Sequence, residues 1–146
     1  MKQIQDQLFK VAIYLRLSKD DGDFSSAENG KSESNSIHNQ RELLMAFLAK
    51  HPEMELCDEY KDDGRTGTNF DRPEFQRMMD DVRKGSVNCV IVKDLSRFGR
   101  DYIECGKYIE KIFPQLGVRF ISINDGFDTR AAGSADSIVI PFKNLI

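Results

Sequence analysis

Residues 87–92, Val-Asn-Cys-Val-Ile-Val, form an almost unbroken apolar run between Gly85 and Lys93. A run this short and this rich in β-branched residues reads as a strand, and one apolar on both faces needs cover on both. The rest of the chain supplies that cover. Residues 11–18 alternate, with Val11, Ile13, Leu15 and Leu17 on one face and Ala12, Tyr14, Arg16 and Ser18 on the other. Ile37, Leu43, Leu44, Phe47 and Leu48 recur at helical spacing, with Ser36 placed as an N-cap and His51-Pro52 closing the helix. A short strand is expected at Leu56–Tyr60. Pro73 then opens a helix carrying Phe75, Met78, Met79 and Val82 that stops at Gly85. A helix from about Tyr102 to Leu116 ends at Gly117, and residues 118–124 make a fourth strand. Another apolar segment begins near Ala135. Strand and helix thus alternate four times, which predicts an α/β fold, a three-layer α/β/α sandwich with a mostly parallel central sheet.

A chain of 146 residues is one domain, long enough to bury a core. Hydrophobic residues at 40% and charged residues at 31% give a globular balance, and no apolar run approaches the ~18 residues of a membrane span. With no signal-peptide pattern either, a cytoplasmic protein without membrane partners is expected. Cys57, Cys89 and Cys105 are odd in number and far apart, so buried, reduced thiols are expected rather than disulfides or zinc ligands. The net charge of −3 argues against DNA binding by the whole surface. The stretch from Lys84 to Arg119, however, carries seven cations against four anions. Any contact with nucleic acid is therefore local, or its main grip lies on another part of the protein.

Function in parallel sheets gathers beyond the carboxyl ends of the strands. Ser18, the 61–72 loop and the 93–101 loop all follow strands and should converge on one edge. Arg16 and Ser18 lie about 7 Å apart on one strand face. Arg97 and Arg100 are spaced as two prongs of one helical turn, and guanidinium matches phosphate oxygens bidentately. Arg72 stands at the mouth of the Pro73 helix. Each element alone also has an ordinary reading: an edge strand with a solvated arginine, a solvated helix start, a surface capping arginine. His38 and His51 read as surface or capping residues, Tyr14 as packed support, and no phosphate-binding glycine motif occurs.

Taken together, these segments resemble the catalytic domain of the serine recombinases, the resolvase/invertase family. Tyr14-Leu15-Arg16-Leu17-Ser18 is similar to that family's nucleophile motif, and Gly67-Thr68-Asn69-Phe70-Asp71-Arg72-Pro73-Glu74-Phe75 to its second arginine block. Leu95-Ser96-Arg97-Phe98-Gly99-Arg100-Asp101 matches its paired-arginine block, and Ser36–Leu44, with Gln40, its following helix. The order and spacing agree over roughly residues 10–130. The resemblance implies that Ser18 attacks the scissile DNA phosphate, surrounded by Arg16, Arg72, Arg97 and Arg100. Tyr14, Gln40, Asp94 and Ser96 would support the site or contact DNA. It implies a covalent phosphoserine intermediate, no metal, cofactor or ATP, and a dimer and synaptic tetramer in the full-length protein. It also implies that residues 135–146 begin a long oligomerisation helix leading to separate DNA-binding domains, so that residues 1–146 alone bind DNA poorly. One departure matters: small resolvases carry aspartate where this chain has Ser96. That and the long polar stretch 19–35 point to the large branch of transposon and phage-integrase type. The proton acceptor for Ser18 is then open, with Asp94 as a candidate.

Two other classes fit parts of the pattern. A metal-dependent nuclease would use Asp20, Asp21, Asp62, Asp63 and Asp94 at strand ends. A non-catalytic α/β signalling or assembly module would share the fold, but a phosphoacceptor aspartate should end the third strand, where Val92-Lys93 stands.

Overall fold

The computed structural model describes residues 8–17, 35–63, 72–99 and 101–132. Strand β1 (Phe9–Arg16) is followed by helix α1 (Asn35–Ala49), strand β2 (Met54–Asp62) and helix α2 (Pro73–Arg83). Strand β3 (Cys89–Val92) leads into the one-turn helix α3 (Leu95–Phe98) and then α4 (Tyr102–Lys107). A π-helical turn over Tyr108–Ile112 joins α4 to α5 (Phe113–Leu116). Strand β4 (Arg119–Ser122), the two-residue strand β5 (Phe127–Asp128) and helix α6 (Thr129–Ala132) complete the described residues. The expected start of a long helix at 135–146 lies outside them.

The five strands are ordered β2-β1-β3-β4-β5, parallel except for the antiparallel β4–β5 pair. Helices cover both faces. Phe9, Val11, Ile13, Leu15, Cys89, Ile91 and Ile121 pack with Ile37 and Leu44 of α1. On the opposite face Ala12, Tyr14, Val90, Val92 and Phe120 pack with Phe75, Met78, Met79 and Val82 of α2 and with Ile109 and Phe113. The three-layer, mostly parallel architecture expected from the alternation is the one found.

The alternation in β1 needs a correction. It does not divide core from solvent; it divides one core from another. Tyr14 is fully buried and Arg16 is 2% exposed, because β1 lies inside the sheet with helices on either side. The ordinary reading of an edge strand with a solvated arginine fails for the same reason.

Smaller departures have local causes. Ser36 lies within the first turn of α1, which opens at Asn35. The helix expected over 102–116 widens at Tyr108–Ile112, where the Phe113 amide reaches back to the Tyr108 carbonyl. Pro114 accounts for this, since its ring would clash with the carbonyl four residues earlier and it has no amide hydrogen to donate. Gly117 then takes a left-handed φ of 72°, which ends the helix while the Val118 amide bonds the Phe113 carbonyl. The strand β5 is too short to carry a period of its own. Among the described residues, no helix is long and apolar enough to cross a membrane.

The cysteines are all free, but only two are buried. The β1–β2 register slips between Val11 and Ala12, which face Leu56 and Asp58, so Cys57 is the extra residue of a bulge on an edge strand and is exposed. Burial pushes the Cys89 and Cys105 thiols up to about 12. A maleimide should therefore label one thiol, Cys57, in the folded protein and all three in denaturant. Partial burial and the nearby Glu55 also raise the Cys57 thiol, so its labelling should quicken as pH rises. Intact mass after timed quenching reads this directly; fast labelling of a second site in the folded protein would contradict the burial.

Candidate functional site

The carboxyl end of β1 is where the described parts of the sequence motifs meet. Arg16, its last residue, is in register with Asp62, the last residue of β2. Its backbone amide and carbonyl, which would otherwise need further strand pairing, are taken by one side chain from α1. Gln40 Oε1 accepts from the Arg16 amide at 3.3 Å, and Gln40 Nε2 donates to the Arg16 carbonyl at 3.2 Å and to Ser36 Oγ at 3.2 Å. Gln40 is fully buried, and a carboxamide there carries both donor and acceptor, so it pins the backbone two residues before Ser18.

The Arg16 side chain turns to α3. Its Nε donates to the Arg97 carbonyl at 3.2 Å and its Nη2 to the Ser96 carbonyl at 2.5 Å. In return, Arg97 Nη1 donates to the Arg16 carbonyl at 3.1 Å. The two arginines are thus braced against each other through main-chain oxygens. Asp94 N-caps α3: Oδ1 accepts from Ser96 Oγ at 2.5 Å and from the Arg97 amide at 3.3 Å. The helical turn stops at Phe98, and Gly99 is extended, so α3 does not continue to Arg100. Arg100 and Ser18 both lie outside the described residues.

The third arginine arrives from α2. Arg72 occupies the N-cap position but makes no side-chain capping bond, and it is 2% exposed rather than a surface residue. Its Nη1 donates to the Tyr14 hydroxyl at 3.0 Å, and its guanidinium lies 4.6 Å from the Phe75 ring centroid and 5.5 Å from that of Tyr14. The cap itself comes from Asp62. Its Oδ1 accepts from the Glu74 amide at 3.0 Å, and its Oδ2 accepts from the Phe75 amide at 2.9 Å and the Tyr14 hydroxyl at 2.8 Å. Tyr14 therefore spends its only proton on Asp62 and turns a lone pair to Arg72. Burial holds its phenol protonated well above the usual range; Arg72 opposes this shift and Asp62 reinforces it. It is a neutral hydrogen-bonding bridge.

Three guanidiniums, those of Arg16, Arg72 and Arg97, thus gather at the end of β1, with Asp62 and Asp94 each engaged by helix amides. Such a cluster of fixed positive charge in partly buried surroundings is suited to an anion of the phosphate type. His38 and His51 are elsewhere: His38 pairs with Glu42 on α1, and His51 stacks on Phe47 and hydrogen-bonds its carbonyl.

Sequence reasoning missed two supports. Asp62 was weighed only as a metal ligand, because a cap that reaches 12 residues ahead has no local signature. Phe98 stands inside the paired-arginine block with no role of its own in the sequence reading. It is fully buried, with ring centroids 5.6 Å from Phe75 and 5.0 Å from Phe120, and so anchors the Arg97 turn in the aromatic core. A large apolar residue between two arginines is the one signal that could have revealed it.

Comparison with known proteins bears on the family and the fold. The family model described as "Resolvase, N terminal domain" matches residues 11–142. The N-terminal catalytic domain of TP901-1 integrase is similar at 28% identity over 91% of this chain and 88% of that one, with a TM-score of 0.67. A resolvase family site-specific recombinase from Streptococcus pneumoniae is similar at 29% identity over 94% and 85%, with a TM-score of 0.68. The catalytic domain of ISC1926 TnpA, an IS607-like serine recombinase, shares the fold at 23% identity over 78% and 69%, with a TM-score of 0.59. A comparison with curated protein sequences returned no significant match.

Proposed function

Since the chain belongs to the resolvase N-terminal domain family, we propose that it is the catalytic domain of a site-specific DNA recombinase that breaks and rejoins DNA through Ser18. The observation that carries this reading is the gathering of Arg16, Arg72 and Arg97 at the end of the strand that leads into Ser18. Phosphoryl transfer needs little more than an aligned nucleophile and neutralised non-bridging oxygens. Ser18 Oγ forms a bond to phosphorus as the phosphorus–oxygen bond to one strand end breaks, leaving a phosphoserine and a free hydroxyl. Because one phosphoester replaces another, the reverse attack by a hydroxyl of the new partner rejoins the strand without ATP.

Within this reading, Arg72, Arg97 and Arg100 hold the phosphate, while Arg16 adds charge and braces Arg97. Gln40 and Tyr14 keep the backbone and Arg72 in place. Ser96 and Asp94 shape the α3 turn. The protein acts on DNA as a self-associating assembly, a dimer and then a synaptic tetramer, in the cytoplasm, and is of the large transposon or integrase type.

The test is to incubate the full-length protein with supercoiled plasmid carrying the DNA that borders its coding sequence, in EDTA, and quench with denaturant. The expected product is DNA covalently attached to a peptide containing Ser18, identified by mass spectrometry after nuclease digestion. Cleavage that needs a divalent ion and leaves no adduct would favour the nuclease alternative instead.

A further inference from the structure

We propose that Asp125, on the turn between β4 and β5, is a positioning residue for α3 and through it for Arg16 and Arg97; this rests on the recombinase reading above. The helix α3 has four residues and cannot set its own direction. Its internal bonds, from the Arg97 amide to the Asp94 carbonyl and from the Gly99 amide to the Leu95 carbonyl, close the turn but do not orient it. Asp94 caps it from the adjoining residue and moves with it.

Asp125 reaches it from another element. Its Oδ2 accepts from the Leu95 amide at 2.9 Å and from Ser122 Oγ at 2.6 Å, and Ser122 is fully buried at the end of β4. The surrounding turn is itself tied to the β3–α3 connection. The Ile123 amide bonds the Val92 carbonyl and the Asn124 amide the Lys93 carbonyl, at 3.1 and 2.8 Å. Gly126, with a φ of 61°, closes the turn by donating to the Ile123 carbonyl. One carboxylate oxygen thus joins the buried end of β4 to the first amide of α3. The carbonyls of the next two residues, Ser96 and Arg97, are those that hold the Arg16 guanidinium. A shift of α3 relative to the sheet would move two arginines at once, and misplacement by about 1 Å costs on the order of 100-fold in rate.

The test compares Asp125→Ala, Asp125→Asn and Ser122→Ala in the full-length protein with two readouts. The first is hydrogen exchange of the Arg16 Nε–H by NMR, its signal assigned by its loss in Arg16→Lys. The second is the single-turnover cleavage rate, alongside DNA binding, on the plasmid described above. Asp125→Ala should speed Arg16 exchange about tenfold or more and slow cleavage by about 10- to 100-fold, with binding unchanged. Asp125→Asn, which keeps an acceptor oxygen in place, should recover most of both. Ser122→Ala should give a smaller change of the same sign and serves if Asp125→Ala does not fold. Unchanged Arg16 exchange in Asp125→Ala overturns the proposal, as does faster exchange with a wild-type cleavage rate. The exchange readout needs no DNA, so a wild-type protein that forms no Ser18 adduct defeats the recombinase reading separately.

Discussion

Ser18→Ala is expected to abolish strand cleavage, by on the order of 10⁴-fold or more, while leaving binding to the site DNA within about twofold of wild type. The size follows from the role. Removing the attacking oxygen leaves the arginines able to hold a phosphate but with nothing to form the new bond. Binding should persist because guanidinium–phosphate attraction does not depend on the hydroxyl. Gel-shift titration and a denaturant-quenched cleavage assay measure the two separately. A variant that still cleaves at the wild-type rate would sink the proposed chemistry, and one that loses binding together with cleavage would assign Ser18 to the fold.

Phe98→Ala is expected to lower unfolding free energy by about 3–5 kcal/mol, a large part of the ~5–15 kcal/mol typical of a domain. Phe98 is fully buried and meets Phe75, Tyr108, Phe113 and Phe120 edge-on, at centroid distances from 5.0 to 6.1 Å. Truncation therefore opens a cavity lined by side chains from α2, β4 and the 108–113 helix, none of which can close it alone. Phe47→Ala, at a half-buried position on α1, is the control and should cost clearly less. Urea unfolding followed by circular dichroism decides it. Near-equal midpoint shifts for the two variants would mean that the aromatic cluster is not the keystone described. Because Phe98 adjoins Arg97, its loss should also depress cleavage well below the melting temperature.

Much of the architecture was legible in the residues. The apolar run at 87–92 required a strand with cover on both faces, and it is β3, central and fully buried. The helical spacing around Phe75 and Met78 marked the face that α2 buries. Three of the four motif segments, at 14–18, 67–75 and 95–101, lie within a few residues of the carboxyl end of a strand, and the fourth lies on α1. The company those segments keep was far less legible. In sequence Asp62 reads only as a candidate metal ligand and Asp125 carries no signal, and nothing nearby shows that either carboxylate caps a helix elsewhere.

What the sequence by itself determined is therefore what short-range patterns encode: which segments are strands or helices, their parallel stacking, and the approach of the arginine blocks to one sheet edge. Only the tertiary structure decided how the arginines are held. Arg16 meets carbonyls 80 and 81 residues away, and Arg72 meets the Tyr14 hydroxyl 58 residues away. Periodicity reports which face of an element is apolar, over spacings of two to four residues. A hydrogen bond between distant elements depends on where the packed core sets their backbones, to within a few tenths of an ångström, and no local pattern carries that.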